Sequence, residues 1–379
     1  MNQGEALVAV IPPVPTMGED RIFERGCYQH FGDATHWMEP FWELRETTKR
    51  GGFELRTWDL VDLEDAAALM IMDVLLSPHE VEALRRQHPH LKVVQQILET
   101  PLGKAWVFDP RNHQTFDAVI TYNDQLVGRP GYFVFKIPAG GLKGKMRKEG
   151  KVFSERKLGC MVANVPNPAP LLPRHSGWGM MRKGWSFSLC TWWNYAREGG
   201  SLYRERLSIA ACFAELAPDE FDIFGPDWDR INNPAIRKAW KGPWAGSKLD
   251  LFGNFRFTIA YENCRNDAGY ISEKIFDAML GGTVPVYMGN ERIAELVPPA
   301  SFVDARAFGS RQALLEYLAG MSEAEWKRMR MAGEEFLRNG AEERFGSKQY
   351  GDAVMAALRT VLPPLGAEEN RLTDRGTDI

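Results

Sequence analysis

The chain has 379 residues, 44% hydrophobic and 25% charged, enough apolar content to bury a core in each of two domains. A net charge of −4 spreads no positive field that would draw nucleic acid to the surface. The five cysteines (Cys27, Cys160, Cys190, Cys212, Cys264) are scattered without a C-x-x-C pair, which argues for reduced thiols and against a disulfide framework or a zinc site.

The amino terminus, MNQGEALVAVIPPVP, has an acidic residue where a signal peptide needs basic ones, and no apolar run reaches the ~20 residues of a membrane span. These features predict a soluble, cytoplasmic protein. Strand-forming runs then follow at 6–11, 53–58, 68–74, 92–98, 116–122 and 132–137. Between the third and fourth lies SPHEVEALRRQHP, where Ser77 is placed to cap a helix, Pro78 to open it and Glu80 to complete a capping box. Alternation of strands with helices predicts a parallel, doubly wound domain over residues 1–140. The first strand is followed by prolines and not by G-x-G-x-x-G, so a nicotinamide cofactor is not expected. His88 and His90, two residues apart, read as a helix end and surface and not as a metal site.

Residues 141–157 are basic and glycine-rich and read as an interdomain linker. The same charge leaves open a peripheral contact with anionic lipid at the inner membrane face. A second strand–helix series fills 158–362, with strands expected at LGCMVAN, FDIFG, FRFTIAY, TVPVYMG and SFVDA and a helical end from about 322. The segment 166–200 holds Trp178, Trp185, Trp192 and Trp193, suited to core packing, to stacking on a sugar or to a membrane surface. The polar residues 363–379 are expected to form a disordered tail.

In FRFTIAYEN the apolar residues alternate, which predicts a strand ending at Glu262–Asn263; GYISEKIFDAMLGG then reads as a loop and a helix stopped by two glycines. This places Lys274 in the first helical turn, where a cation costs roughly 0.3–1 kcal/mol and an anion belongs. A diphosphate held by the ammonium and the helix amides would resolve the mismatch, with Glu273 beside it to accept hydrogen bonds from sugar hydroxyls. Asp227-x-Asp229 mimics a metal-binding D-x-D but reads as a turn.

The strings YEN, YISEK and AMLGGTVPVYMG resemble the donor-binding signature of the α1,3/α1,4-fucosyltransferases, glycosyltransferase family ten, with the likeness running from Lys248 to about residue 308. Tyr261 and Cys264 depart from the usual residues of that pattern. The resemblance implies a GT-B fold, two Rossmann-like domains facing across a cleft, and transfer of L-fucose from GDP-fucose to a glycan acceptor with inversion. Carried over, Lys274 would hold the diphosphate and Glu273 a donor hydroxyl. Lys248, Glu262, Asn263, Tyr270 and Ser272 would complete the nucleotide-sugar pocket. An arginine of the helix in SLYRERLSIAACF would join the diphosphate, Arg206 in preference to Arg204. Glu99, in LETP ahead of FDAVITY, would be the general base that accepts the acceptor's proton. No cofactor is obligatory on this reading, and Mn2+ or Mg2+ would at most stimulate. A transferase using another GDP-deoxysugar and a catalytically silent sugar-binding protein are the alternatives.

Overall fold

In the computed structural model, residues 5–24, 35–74, 76–100, 107–140, 142, 150–164, 200–244, 246–266 and 268–362 are described. The expected tail at 363–379, the basic stretch up to 149 apart from Leu142, and the tryptophan-rich segment through 199 lie outside them.

Six strands, β1 (Ala6–Ile11), β2 (Phe53–Thr57), β3 (Ala68–Met72), β4 (Lys92–Ile97), β5 (Ala118–Thr121) and β6 (Tyr132–Val134), form an all-parallel sheet in the order 2-1-3-4-5-6. Five more, β7 (Lys157–Val162), β8 (Phe221–Phe224), β9 (Phe255–Asn266), β10 (Val284–Asn290) and β11 (Val303–Asp304), form a second parallel sheet. Counted from its own first strand, that sheet runs 2-1-3-4-5, the same winding as the first. In such sheets ligands collect beyond the carboxyl ends of the strands, at the point where the order reverses. In the second sheet that point is between β7 and β9.

Helix α1 (Thr35–Arg50) and α2 (Pro78–Gln87) connect strands of the first sheet. Ser77 caps α2 as expected: its hydroxyl accepts from Glu80 N at 3.2 Å, and the Glu80 carboxylate accepts from Ser77 N at 2.7 Å. His88 is the C-cap of that helix, its Nδ1 2.9 Å from Glu64. In the second half, α3 (Tyr203–Leu216) joins β7 to β8, α4 (Pro234–Ala239) and α5 (Lys248–Phe252) precede β9, and α6 (Lys274–Leu280) joins β9 to β10. Then come α7 (Arg311–Gly320), α8 (Glu323–Phe336) and α9 (Ser347–Val361).

Two features of the packing differ from the sequence expectation. Helix α9, within the stretch assigned to the second domain, packs into the first: Tyr350, Val354 and Leu358 share a core with Val8, Phe41 and Met70. Tyr350 also accepts a hydrogen bond from Gln96 Nε2 at 2.7 Å. Its apolar face therefore ties the chain's end back across the two domains. The end of the expected linker is also no solvated tether. Arg156 is buried, donates to the carbonyls of Phe255 and Gly282 at 3.0 and 2.8 Å, and lies over the Trp326 ring.

Candidate active site

The strand β9 is central in its sheet and covered on both faces, so the polar phase of its alternation is buried as thoroughly as the apolar one. Thr258 and Ala260 are buried, and the Glu262 side chain is wholly inaccessible. A buried carboxylate needs partners. Glu262 accepts from Ser272 N at 2.8 Å and from Ser272 Oγ at 2.6 Å, and the Lys274 ammonium stands 3.6 Å away. Burial pushes the Glu262 pKa up, opposed by Lys274 and the Ser272 hydrogen bonds. The fit is tight enough to require Gly289 on neighbouring β10, where a Cβ would come within 2.4 Å of Glu262 Cγ.

Lys274 is the first residue of α6, as the sequence predicts, and its Nζ donates to Ser272 Oγ at 2.9 Å with Glu273 at 3.5 Å. Two carboxylates of the chain thus share the negative role that the sequence reading gave to a ligand. The helix itself spans seven residues, so its dipole adds less than the side chains do. Lys274 remains partly exposed and Glu273 more so, whereas Glu262 and Ser272 are sealed beneath them. The latter two were expected to touch a donor. Each Glu262 oxygen already has a partner inside the protein, Oε1 accepting from Ser272 N and Oε2 from Ser272 Oγ.

Lys248, on α5, approaches Asp277 of α6 at 3.5 Å. Burial opposes ionisation of Glu273, but Lys274 and Lys248 outweigh it and hold that carboxyl at about 2. Asp277, raised by burial and by the Glu273 charge against the pull of Lys248, sits at about 6. Asp277 escaped the sequence reading although it lies three residues after Lys274, the spacing that shares a helix face.

On the other side of the switch point, Arg206 of α3 is buried. Its Nη2 donates to Tyr261 O and to Asn263 Oδ1, both at 2.7 Å, and its Nε to Tyr261 O at 3.1 Å. Burial lowers its pKa, with Tyr203 and Glu262 among the groups that oppose the shift. The neighbouring Arg204 is exposed, so Arg206 is the arginine this fold brings to the strand end. Tyr270 is buried, and burial followed by the charges of Glu262 and Glu99 raises its phenol pKa well above the ordinary value.

Glu99, exposed just past the end of β4, thus comes near the loop between β9 and α6 although it belongs to the first sheet. Ile97, Phe108, Val119 and Tyr122 of the first domain form one apolar cluster with Cys264, Ala268 and Tyr270 of the second. Gly269, with φ +86°, lets the loop approach: a Cβ there would lie 2.8 Å from Tyr122 O. Asp124 pairs with Arg292 at 2.7 Å across the same junction.

Asp227 and Asp229 flank the buried Trp228 in a short turn after β8. Asp227 is left-handed, φ 68°, and pairs with Arg230 at 2.9 Å. Among the described residues no group of three or more His, Cys, Asp or Glu is arranged to hold a metal ion.

Residues 244–330 match the model for "Glycosyltransferase family 10 (fucosyltransferase) C-term". The chain is 32% identical over 132 residues to Alpha-(1,3)-fucosyltransferase 7 of Homo sapiens, covering 34% of this chain and 35% of that protein. It is 31% identical over 72 residues to Alpha-(1,3)-fucosyltransferase FucT of Helicobacter pylori, covering 19% and 15%. The matched segments thus span about a third or less of those relatives' length. A crystal structure of an alpha1,3-fucosyltransferase and one of alpha1,3-fucosyltransferase with GDP-fucose align with TM-scores of 0.54 and 0.52 at 14% identity. They cover 96% and 95% of this chain and 92% and 90% of theirs. That likeness shows the fold, the two-domain GT-B arrangement expected from the sequence.

Proposed function

We propose that this chain transfers L-fucose from GDP-fucose to a hydroxyl of a glycan acceptor with inversion at C1, a reading supported by the match of residues 244–330 to the glycosyltransferase family ten model. The observation that carries the reading is the Lys274 ammonium, partly exposed and fixed by the sealed Glu262–Ser272 pair at the carboxyl end of β9, inside the segment that matches the family.

Lys274 meets the donor diphosphate, Arg206 supports the Tyr261–Asn263 strand end that lines it, and Glu273 accepts a donor hydroxyl. Tyr270 and Asn263 line the nucleotide pocket. From the facing domain Glu99 takes the proton of the acceptor hydroxyl, whose oxygen attacks C1 as the bond from C1 to the GDP oxygen breaks. The fixed Lys274 ammonium, aimed at the charge growing on the leaving diphosphate, lowers the barrier, and holding both substrates in one cleft removes much of the entropic cost. With the Lys274 ammonium in that role, a divalent ion is stimulatory at most. The protein acts in the cytoplasm on this reading, with a peripheral place at the inner membrane face left to the basic stretch 141–157.

A panel of GDP- and UDP-sugars, read by thermal shift and by release of nucleoside diphosphate with and without EDTA, tests the assignment. GDP-fucose is expected to stabilise the protein and turn over in EDTA. Preference for a UDP-sugar, or complete loss on chelation restored by Mn2+, would contradict it.

A further inference from the structure

We infer that Asp73 and Tyr122 are positioning residues that hold Glu99 from both sides, and that Tyr122 sets the place of Glu99 relative to the donor-side loop; the inference rests on the function proposed above.

The backbone of Glu99 is gripped at both ends. Asp73, buried just beyond β3, accepts from Leu98 N at 2.9 Å and from Glu99 N at 3.1 Å through one carboxylate oxygen. It does so from a left-handed conformation, φ 52°, with its own N bonded to Gln96 O at 3.0 Å. Non-glycine residues enter that region at a cost of order 1 kcal/mol or more, and a short acceptor that bonds locally is the type that tolerates it. On the other side, Tyr122 Oη donates to Glu99 O at 3.1 Å. With the main chain held on both flanks, the exposed carboxylate has only its own side-chain torsions left to vary.

Tyr122 does more than grip. Its ring is buried and meets the Tyr270 ring edge-on, centroids 5.3 Å apart at 66°, with Phe108 of its own domain 5.9 Å away. One rigid side chain therefore touches both the backbone of the residue assigned as base and a tyrosine of the nucleotide pocket in the other domain. The next residues reinforce the junction, Asp124 N donating to Ala268 O at 3.3 Å beside Gly269. The distance between base and donor is set through this contact and not through solvent. A displacement of about 1 Å between reacting groups can cost on the order of 100-fold in rate.

A double-mutant cycle between Tyr122→Phe and Glu99→Gln distinguishes positioning from packing. Phenylalanine keeps the ring and its contact with Tyr270 and loses only the hydrogen bond to Glu99. GDP release from GDP-fucose is measured with an oligosaccharide panel as acceptor, beside GDP affinity by calorimetry. In the wild-type background Tyr122→Phe is expected to lower kcat about 10-fold, with the GDP-fucose KM within about twofold. In the Glu99→Gln background it should cost nothing further, because residues that act as a unit are not additive. Asp73→Ala should lower kcat in the same way, and Asp73→Asn, which keeps the acceptor oxygen and tolerates the left-handed backbone, should restore most of it. Equal losses from Tyr122→Phe in both backgrounds, or an unchanged kcat, would overturn the inference while leaving the function standing. A near-normal rate for Glu99→Gln alone would instead remove the base, and both would fall.

Discussion

At Lys274 an ammonium lies 3.6 Å from the carboxylate of Glu262, which has no access to water, and remains itself about a quarter exposed. Removing one partner of a fully buried ion pair costs about 3–5 kcal/mol. Lys274→Ala should therefore destabilise the unliganded protein by about 2 kcal/mol or more, less than that range because the lysine is partly solvated. GDP binding should weaken by about 1.5–3 kcal/mol, the scale of a charge-assisted hydrogen bond. Adding Glu262→Gln should recover much of the stability in chemical denaturation without restoring GDP affinity by calorimetry. Unchanged GDP affinity in either variant would remove Lys274 from the diphosphate. The sequence made the misfit of this cation legible through its place in the first helical turn. It could not reveal that Glu262 answers part of it, because period-two alternation says which residues share a face of a strand and not whether the other face meets solvent.

At the scale of elements, the pair Lys248–Asp277 couples α5 to α6. The folded Asp277 carboxyl keeps its proton to about 6, against 3.8 for an unperturbed group. Between those values the folded state binds more protons than the unfolded one, so this residue's contribution to stability falls as pH rises. Urea midpoints measured from about pH 4 to 7 should show wild type losing ground to Asp277→Asn across that window, and a level difference above it. A difference of opposite slope would mean that Lys248 dominates the site and depresses the carboxyl. Most elements themselves were readable. Ser77, Pro78 and Glu80 marked the start of α2 to the residue, and Gly281 and Gly282 the end of α6. Strand ends were less so: β9 continues to Asn266, past the polar residues that suggested its stop, because Asn263 and Cys264 pair with residues 201 and 202. Helix α9 shows the limit of pattern reading. Its apolar stripe declares that it packs, but nothing in the stripe selects the first sheet over the second.

Over the whole molecule, two sheets of identical winding bring their carboxyl edges together through the Tyr122–Tyr270 contact, the Asp124–Arg292 pair and the return of α9. The two-domain plan was legible in the alternation of strands and helices. The junction was not, since it joins residues more than a hundred positions apart with no local signal beyond Gly269. The residues proposed for the donor half lie within one contiguous signature, in the segment that matches the family model, whereas the nomination of Glu99 depended on its order relative to a later strand. That residue is where the account is most exposed. Glu99→Gln keeps the size and hydrogen-bonding capacity of the side chain but cannot accept a proton at neutral pH. Transfer from GDP-fucose and affinity for GDP, measured on this one variant, test the central claim that two domains cooperate in a general-base displacement. The account predicts turnover lowered by about 10²- to 10⁴-fold, with GDP affinity within about 0.5 kcal/mol of wild type; near-normal transfer by Glu99→Gln would contradict it.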